Sequence, residues 1–107
     1  MNKRRQHNRI DETIHQRTRL AIMAALAGVE SLDFNEIKGE LGLTDGNLSA
    51  HATALERAGY IKIHKSFRGR KPRTALAMTN RGRQALESYI ELLKGILDEA
   101  HNRGAMP

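Results

Sequence analysis

Two short runs of this sequence hold side chains suited to recognition rather than to making bonds. The first is Thr44-Asp45-Gly46-Asn47-Leu48-Ser49-Ala50, continued by Thr53 and Arg57. With Leu48 at the centre of a buried helix face, a turn of about 100° per residue points Gly46, Ala50, Thr53 and Arg57 outward and puts Asn47 and Ser49 on the flanks. The outer face is then short-chained at its start and basic at its end, where Lys and Glu would ordinarily serve solubility. Short side chains let a helix backbone come close to its partner. A major groove about 12 Å wide admits such a helix. There Asn can bond bidentately to adenine, Ser and Thr reach several base edges, and Ala meets a thymine methyl. The free amides of the helix start favour a phosphate.

The second run is Lys65-Ser66-Phe67-Arg68-Gly69-Arg70-Lys71-Pro72-Arg73, with five cations and no acid. Its setting is equally one-sided. From Arg57 to Leu86 there is no Asp or Glu, against nine Lys and Arg. A further basic group, Lys3, Arg4, Arg5 and Arg9, stands at the N-terminus. Acids gather instead at Glu30 to Glu56 and Glu87 to Glu99. The net charge of +6 is therefore segregated, and segregation predicts a polyanionic partner. Arg68, Arg70 and Lys71 suit phosphates, and one Arg suits a narrow minor groove. Phe67 is expected to buttress this loop rather than to stack on bases.

Other chemistry finds no support. The sequence has no cysteine, which excludes disulfides, thiolate metal sites and thiol nucleophiles, and is compatible with a reducing cytoplasm. Asp98-Glu99-Ala100-His101 spells a helicase box, but no phosphate-binding G-x-x-x-x-G-K-[ST] loop accompanies it. Asp98 and His101 lie one turn apart and lack the further ligands of a zinc site. His7, His15 and His64 show no ligand spacing, and no Ser, His and acid set suggests a nucleophile with its base. No catalytic residue, metal or cofactor is expected, and the protein is not expected to be an enzyme. The apolar run Leu20 to Val29 is half the length a membrane span needs, about 20 residues, and reads as a buried helix.

The elements that must position the two runs follow from punctuation. The 107 residues suit one domain. Residues 1–10 form a basic flexible arm and residues 11–107 a single domain. A helix over 11–28 buries Ile14, Leu20, Met23, Ala24 and Ala27 and ends at Gly28. Ser31 and Leu32 suit a short extended piece. Asp33 with Glu36 forms a capping box for a helix over 34–41, with Phe34, Ile37 and Leu41 on one face. Gly42 stops it, Leu43 plugs the turn, and Thr44 caps a helix over 45–58 with the stripe Leu48, Ala52, Leu55. Gly59 ends that helix. Tyr60 to Lys65 and Thr74 to Met78 alternate apolar and polar, giving a hairpin over 60–78 with a basic tip. Thr79 caps a last helix over 80–101. Leu86, Tyr89, Leu93, Ile96 and Ala100 there keep a near-heptad spacing, and Ile90, Leu92 and Leu97 widen the apolar surface. That is more than one domain can cover, so part of it is expected to meet another chain.

The runs LDFNEIKGELGLTDGNLSAHATALERAGYI and GRKPRTALAMTNRGRQALESY, in this order, resemble the winged helix-turn-helix transcription regulators near the MarR and ArsR groups. The likeness extends from Leu32 to about Ile96. It implies a mainly α fold with a small β-hairpin (α+β) and a long C-terminal dimerisation helix. It implies a recognition helix at Thr44 to Ala58, with Asn47, Ser49 and Thr53 facing bases beside Gly46, Ala50 and Arg57. It implies a wing at Lys65 to Arg73, in which Arg68, Arg70 and Lys71 contact DNA and Lys65, Gly69 and Arg73 complete the expected DNA-binding set. His51 matches a histidine such helices often carry, and a half-buried packing role fits it. Leu86, Tyr89, Ile90, Leu93, Ile96, Leu97 and Ala100 would form the dimer interface. The chain departs from metal-sensing ArsR proteins in lacking cysteines. The function expected is sequence-specific binding of double-stranded DNA by a cytoplasmic homodimeric regulator, a repressor, with no membrane partner and no feature that indicates a small-molecule effector. A protein-binding winged helix and a nonspecific architectural binder are the alternatives. The short-chained helix face argues against both.

Overall fold

The protein is described by a computed structural model over residues 9–105; the arm expected at residues 1–10 lies almost wholly outside them. Four helices and one antiparallel sheet follow in the order α1 (Arg17–Leu26), β1 (Leu32–Asp33), α2 (Phe34–Leu41), α3 (Asp45–Arg57), β2 (Ile61–Arg68), β3 (Lys71–Met78) and α4 (Asn80–Ala105). This is the winged helix architecture expected.

Helix α1 starts six residues later than its sequence suggests. Asp11 closes a turn of its own: its Oδ1 accepts from the amides of Thr13 at 2.9 Å and Ile14 at 3.3 Å. A short acidic side chain that bonds nearby amides competes with helix formation. The helix begins only after Gln16, whose extended backbone and side-chain oxygen, accepting from the Arg19 amide at 2.8 Å, make it the cap. The buried face also differs from expectation. Ile22, Met23 and Leu26 are buried and Leu20 and Ala27 half-buried, while Ala24 is exposed. The run LAIMAALA is apolar all round, so it has no polar face to fix its phase.

The middle of the chain follows its punctuation. Glu36 accepts from the Asp33 amide at 3.3 Å, and the Asp33 side chain faces the amide of Glu36, completing the capping box. Gly42 takes the left-handed conformation, φ 64°, and the Leu43 amide closes back on the Lys38 carbonyl at 3.0 Å. Thr44 Oγ1 accepts from the Asn47 amide at 3.1 Å and starts α3. Leu48, Ala52 and Leu55 enter the core.

Strand β3 is central. It pairs with β2 from Ile61↔Met78 out to Arg68↔Lys71, and with β1 at Leu32↔Leu76 and Asp33↔Ala75. The expected basic loop from Ser66 to Arg73 is therefore mostly strand, and only Gly69 and Arg70 turn. Gly69 has φ 66° and Arg70 does not share the positive sign, the pattern of a type II′ hairpin turn. Pro72 is tolerated because β1 does not reach that far along β3.

Thr79 joins the hairpin to α4. Its hydroxyl donates to the Gly59 carbonyl at 2.6 Å and accepts from the Gly82 amide at 2.9 Å, while its amide donates to the Tyr60 carbonyl at 3.0 Å. Gly82 lies flat on that carbonyl: a Cβ there would stand 2.1 Å from Tyr60 O. The core is almost wholly aliphatic, built from Ile14, Ile22, Met23, Leu26, Ile37, Leu48, Leu55, Ile61, Leu76 and Leu86, with Tyr89 its one buried aromatic ring. Helix α4 runs past 101 to Ala105 and extends beyond this body, giving overall dimensions of 66 × 24 × 23 Å.

Candidate nucleic-acid interface

Helix α3 presents the face its sequence suggests. Thr44, Gly46, Asn47, Ser49, Ala50 and Arg57 are exposed, and Thr53 is half-buried. From behind, the helix is held by Arg19 of α1. That guanidinium donates through Nε to the Thr13 carbonyl at 2.6 Å, through Nη2 to the Glu12 carbonyl at 3.4 Å and through Nη1 to His51 Nδ1 at 3.3 Å. A guanidinium has no acceptor, so His51 Nδ1 must carry no proton. Burial, and then the Arg19 charge, lower the His51 pKa from its ordinary value and keep the ring neutral. The half-buried packing role expected for His51 is thus a polar one, and its partner Arg19 was not legible in the sequence.

The hairpin divides into two faces by the alternation of its strands. Ile61, Ile63, Lys65 and Phe67 share one face with Pro72, Thr74 and Leu76, because Phe67 lies opposite Pro72 and Ile63 opposite Leu76. This face turns toward α3. Between them runs a groove of about 550 Å³ lined by Ser49, Thr53, Glu56, Lys65 and Thr74 over an apolar floor. Glu56 Oε2 accepts from the Ile63 amide at 3.1 Å and covers part of the free β2 edge. Arg68, Lys71 and Arg73 share the opposite face. Lys65, Arg68, Gly69, Arg70 and Lys71 are all exposed.

Two wing residues have surroundings the sequence did not suggest. Arg73 does not stand free: its Nε and Nη2 both lie 2.7 Å from Asp33 Oδ1. It braces the wing against the start of α2, a partnership with Asp33 that the sequence did not reveal. Phe67 buttresses nothing, being 74% exposed.

The expected dimer surface is also reapportioned. Leu86 and Tyr89, at 7% and 5% exposure, belong to the core of this chain and have no face left for another. Ile90 at 50% and Leu97 at 59% are exposed, Leu93 and Ile96 half-buried, and Ala100 exposed. Ile90, Leu93, Leu97 and Ala100 fall at alternating steps of three and four, an apolar seam along the projecting half of α4. Tyr89 is fixed instead by its hydroxyl, 2.9 Å from His15 Nδ1. Tyr60 OH donates to Asp11 Oδ2 at 2.5 Å. Burial first, and then the Asp11 hydrogen bond and charge, push its pKa up to about 12, against the opposing charge of Arg81.

The model of a winged helix DNA-binding domain matches residues 18–97, from α1 through the seam of α4. The chain belongs to this family. The winged helix protein is 42% identical to an uncharacterized protein of Methanocaldococcus jannaschii over 72 residues, 67% of this chain and 78% of that one. It is similar to a transcriptional regulator homologue from Pyrococcus horikoshii, with a TM-score of 0.79, 32% identity and coverage of 84% of this chain and 89% of that one. It shares the fold of a protein assigned to the MarR family of transcriptional regulators from Enterococcus faecalis, with a TM-score of 0.74, 20% identity and coverage of 99% and 96%. The family and fold are those of DNA-binding transcriptional regulators. No helix among the described residues is long and apolar enough to cross a membrane.

Proposed function

We propose that this winged helix protein is a sequence-specific DNA-binding repressor that acts as a homodimer in the cytoplasm. The observation that carries the reading is the pairing of a short-chained, exposed helix face with an acid-free basic hairpin across one groove. In this reading α3 enters the major groove, where Asn47, Ser49 and Thr53 meet base edges and Gly46 and Ala50 permit close approach. The α3 N-terminus and Arg57 meet phosphates. Arg68, Arg70 and Lys71 bind the flanking backbone, and Lys65 lies where the groove meets the duplex. The seam of Ile90, Leu93, Leu97 and Ala100 joins two copies, so that two α3 helices reach half-sites about 34–36 Å apart on a pseudo-palindrome.

The test is fluorescence anisotropy of a labelled duplex from the gene's own upstream region, beside a random duplex, at several salt concentrations. Preferential binding that survives near-physiological salt supports the reading. Equal binding to both that vanishes with salt leaves an electrostatic binder only and refutes sequence specificity.

A further inference from the structure

The most exposed large apolar side chain in the described structure sits in its most cationic segment. Phe67 is 74% exposed at the far end of β2, one residue from the hairpin turn. Every neighbour explanation fails for it. It is not part of the hydrophobic core, and its cross-strand partner is Pro72, itself exposed. Phe67 and Pro72 therefore form a small apolar tip on the hairpin face that turns toward α3. Arg68 and Lys71 project from the other face, and Arg70 sits in the turn. There is no acid anywhere in the hairpin. An aromatic ring held out in water at the end of an acid-free cationic hairpin suits one partner chemistry above others, stacked bases inside a polyanionic backbone.

We propose that Phe67, backed by Pro72, is an apolar wedge that enters the minor groove beside the α3 site and partly unstacks one base step. The inference rests on the DNA-binding reading and adds to it a residue that sets sequence preference through deformation. Apolar wedges of this kind kink a duplex by about 20–90°. The geometry assigns the parts. Extended β-strands up to the tip make the hairpin a stiff arm, and the Arg73–Asp33 pair braces its outer half against the start of α2. Arg68, Arg70 and Lys71 grip phosphates either side of the opened step, while Phe67 replaces the lost stacking. Pyrimidine–purine steps such as TA open most easily, whereas A-tracts resist opening. The wedge therefore favours a TA step in the flank where the wing lands. A wing that acted only by placing an arginine in a narrow groove would favour an A-tract there instead.

The experiment uses the full chain and duplexes that share one bound core site but carry either a TA step or an A-tract in the flank. End-to-end fluorescence energy transfer reports the bend, and anisotropy reports affinity. With the native protein, the TA duplex should bend and bind more tightly. Phe67→Ala should abolish the bend and the flank preference and weaken binding to the TA duplex about tenfold, within the range of one base–aromatic stacking contact. Phe67→Leu, which keeps an apolar wedge, should retain most of the bend. The variants leave the core untouched, so unchanged thermal melting separates these effects from misfolding. A native bend that survives Phe67→Ala, or a preference for the A-tract, overturns the wedge and leaves DNA binding standing. A native protein that binds neither duplex nor any upstream duplex overturns both.

Discussion

Replacing Arg70 and Lys71 together by Ala should flatten the salt dependence of DNA binding without changing which duplex is preferred. Both side chains are exposed at the hairpin turn, and neither has an ion-pair partner among the described residues. Each is therefore available to replace counterions on the duplex. Every phosphate neutralised contributes about 0.9 to the slope of log affinity against log salt. Two contacts per protomer, in a dimer with both wings bound, give a share of about 3.6. Raising salt fourfold, from about 50 to about 200 mM, should then weaken the native protein about 150-fold more than the double variant. If a single wing bound, the factor would be only about 12. Anisotropy titrations of the operator and of a random duplex across that range measure both slopes. Arg73→Ala is the internal contrast. Its guanidinium already holds Asp33, so its share of the slope should be smaller. Equal slopes for native and double-variant protein would refute the wing as a phosphate-binding arm, and a slope lost equally with Arg73→Ala would refute the distinction between free and braced cations.

Three further outcomes follow from particular contacts. Gly82→Ala places a methyl group 2.1 Å from the Tyr60 carbonyl oxygen. It should cost about 1–3 kcal/mol as overpacking does, visible as a lowered midpoint of thermal or urea unfolding. An unchanged midpoint would mean that α4 does not press on the hairpin root. Leu93→Glu places a charge in the α4 seam and should give a monomer with weaker operator binding. A variant still dimeric by ultracentrifugation would place the interface elsewhere. His51 has a pKa below its ordinary value of 6.5, so its neutral form is the one the fold favours. Its protonation penalty is absent well above that value, grows as pH falls through it, and is complete below the folded pKa. Native protein should thus lose stability relative to His51→Gln on acidification, and parallel stability curves would show that the Arg19 contact carries no such linkage.

How far the sequence revealed all this depended on whether a feature was local. Asp33, Gly42, Thr44, Gly59 and Thr79 each punctuate a helix end through nearby backbone, so the ends of α2 and α3 and the start of α4 could be read directly, whereas both strands run three residues further toward the hairpin tip than their alternation showed. The exposed face of α3 followed from one buried stripe, because Leu48, Ala52 and Leu55 stand among polar neighbours that fix the phase. In α1 no such neighbours exist, and Ala24 was placed on the wrong face. Helix α4 carries more apolar surface than one domain covers, and the sequence showed the surplus. It could not divide that surplus, since Leu86 and Ile90 have the same chemistry and only tertiary packing sends one inward. Long-range pairs were hidden for the same reason. Asp33 and Arg73 are forty residues apart, and the capping role of Asp33 gave no sign of a second partner. Arg19, His51 and the Asp11–Tyr60 contact belong to the same class.

The seat of Gly82 on the Tyr60 carbonyl makes α4 a lever with its fulcrum at the root of the wing. From Gly82 to Ala105 the helix is about 34 Å long at 1.5 Å per residue. A tilt of about 6° at the fulcrum moves the far end by about 3.4 Å, the rise of one base pair along the duplex axis. In an assembly joined through that far half, the register between two binding surfaces is thus set by an angle at one methyl-free contact. In the dimer reading, a small pivot there would alter the distance between the two α3 faces before either face itself had to change.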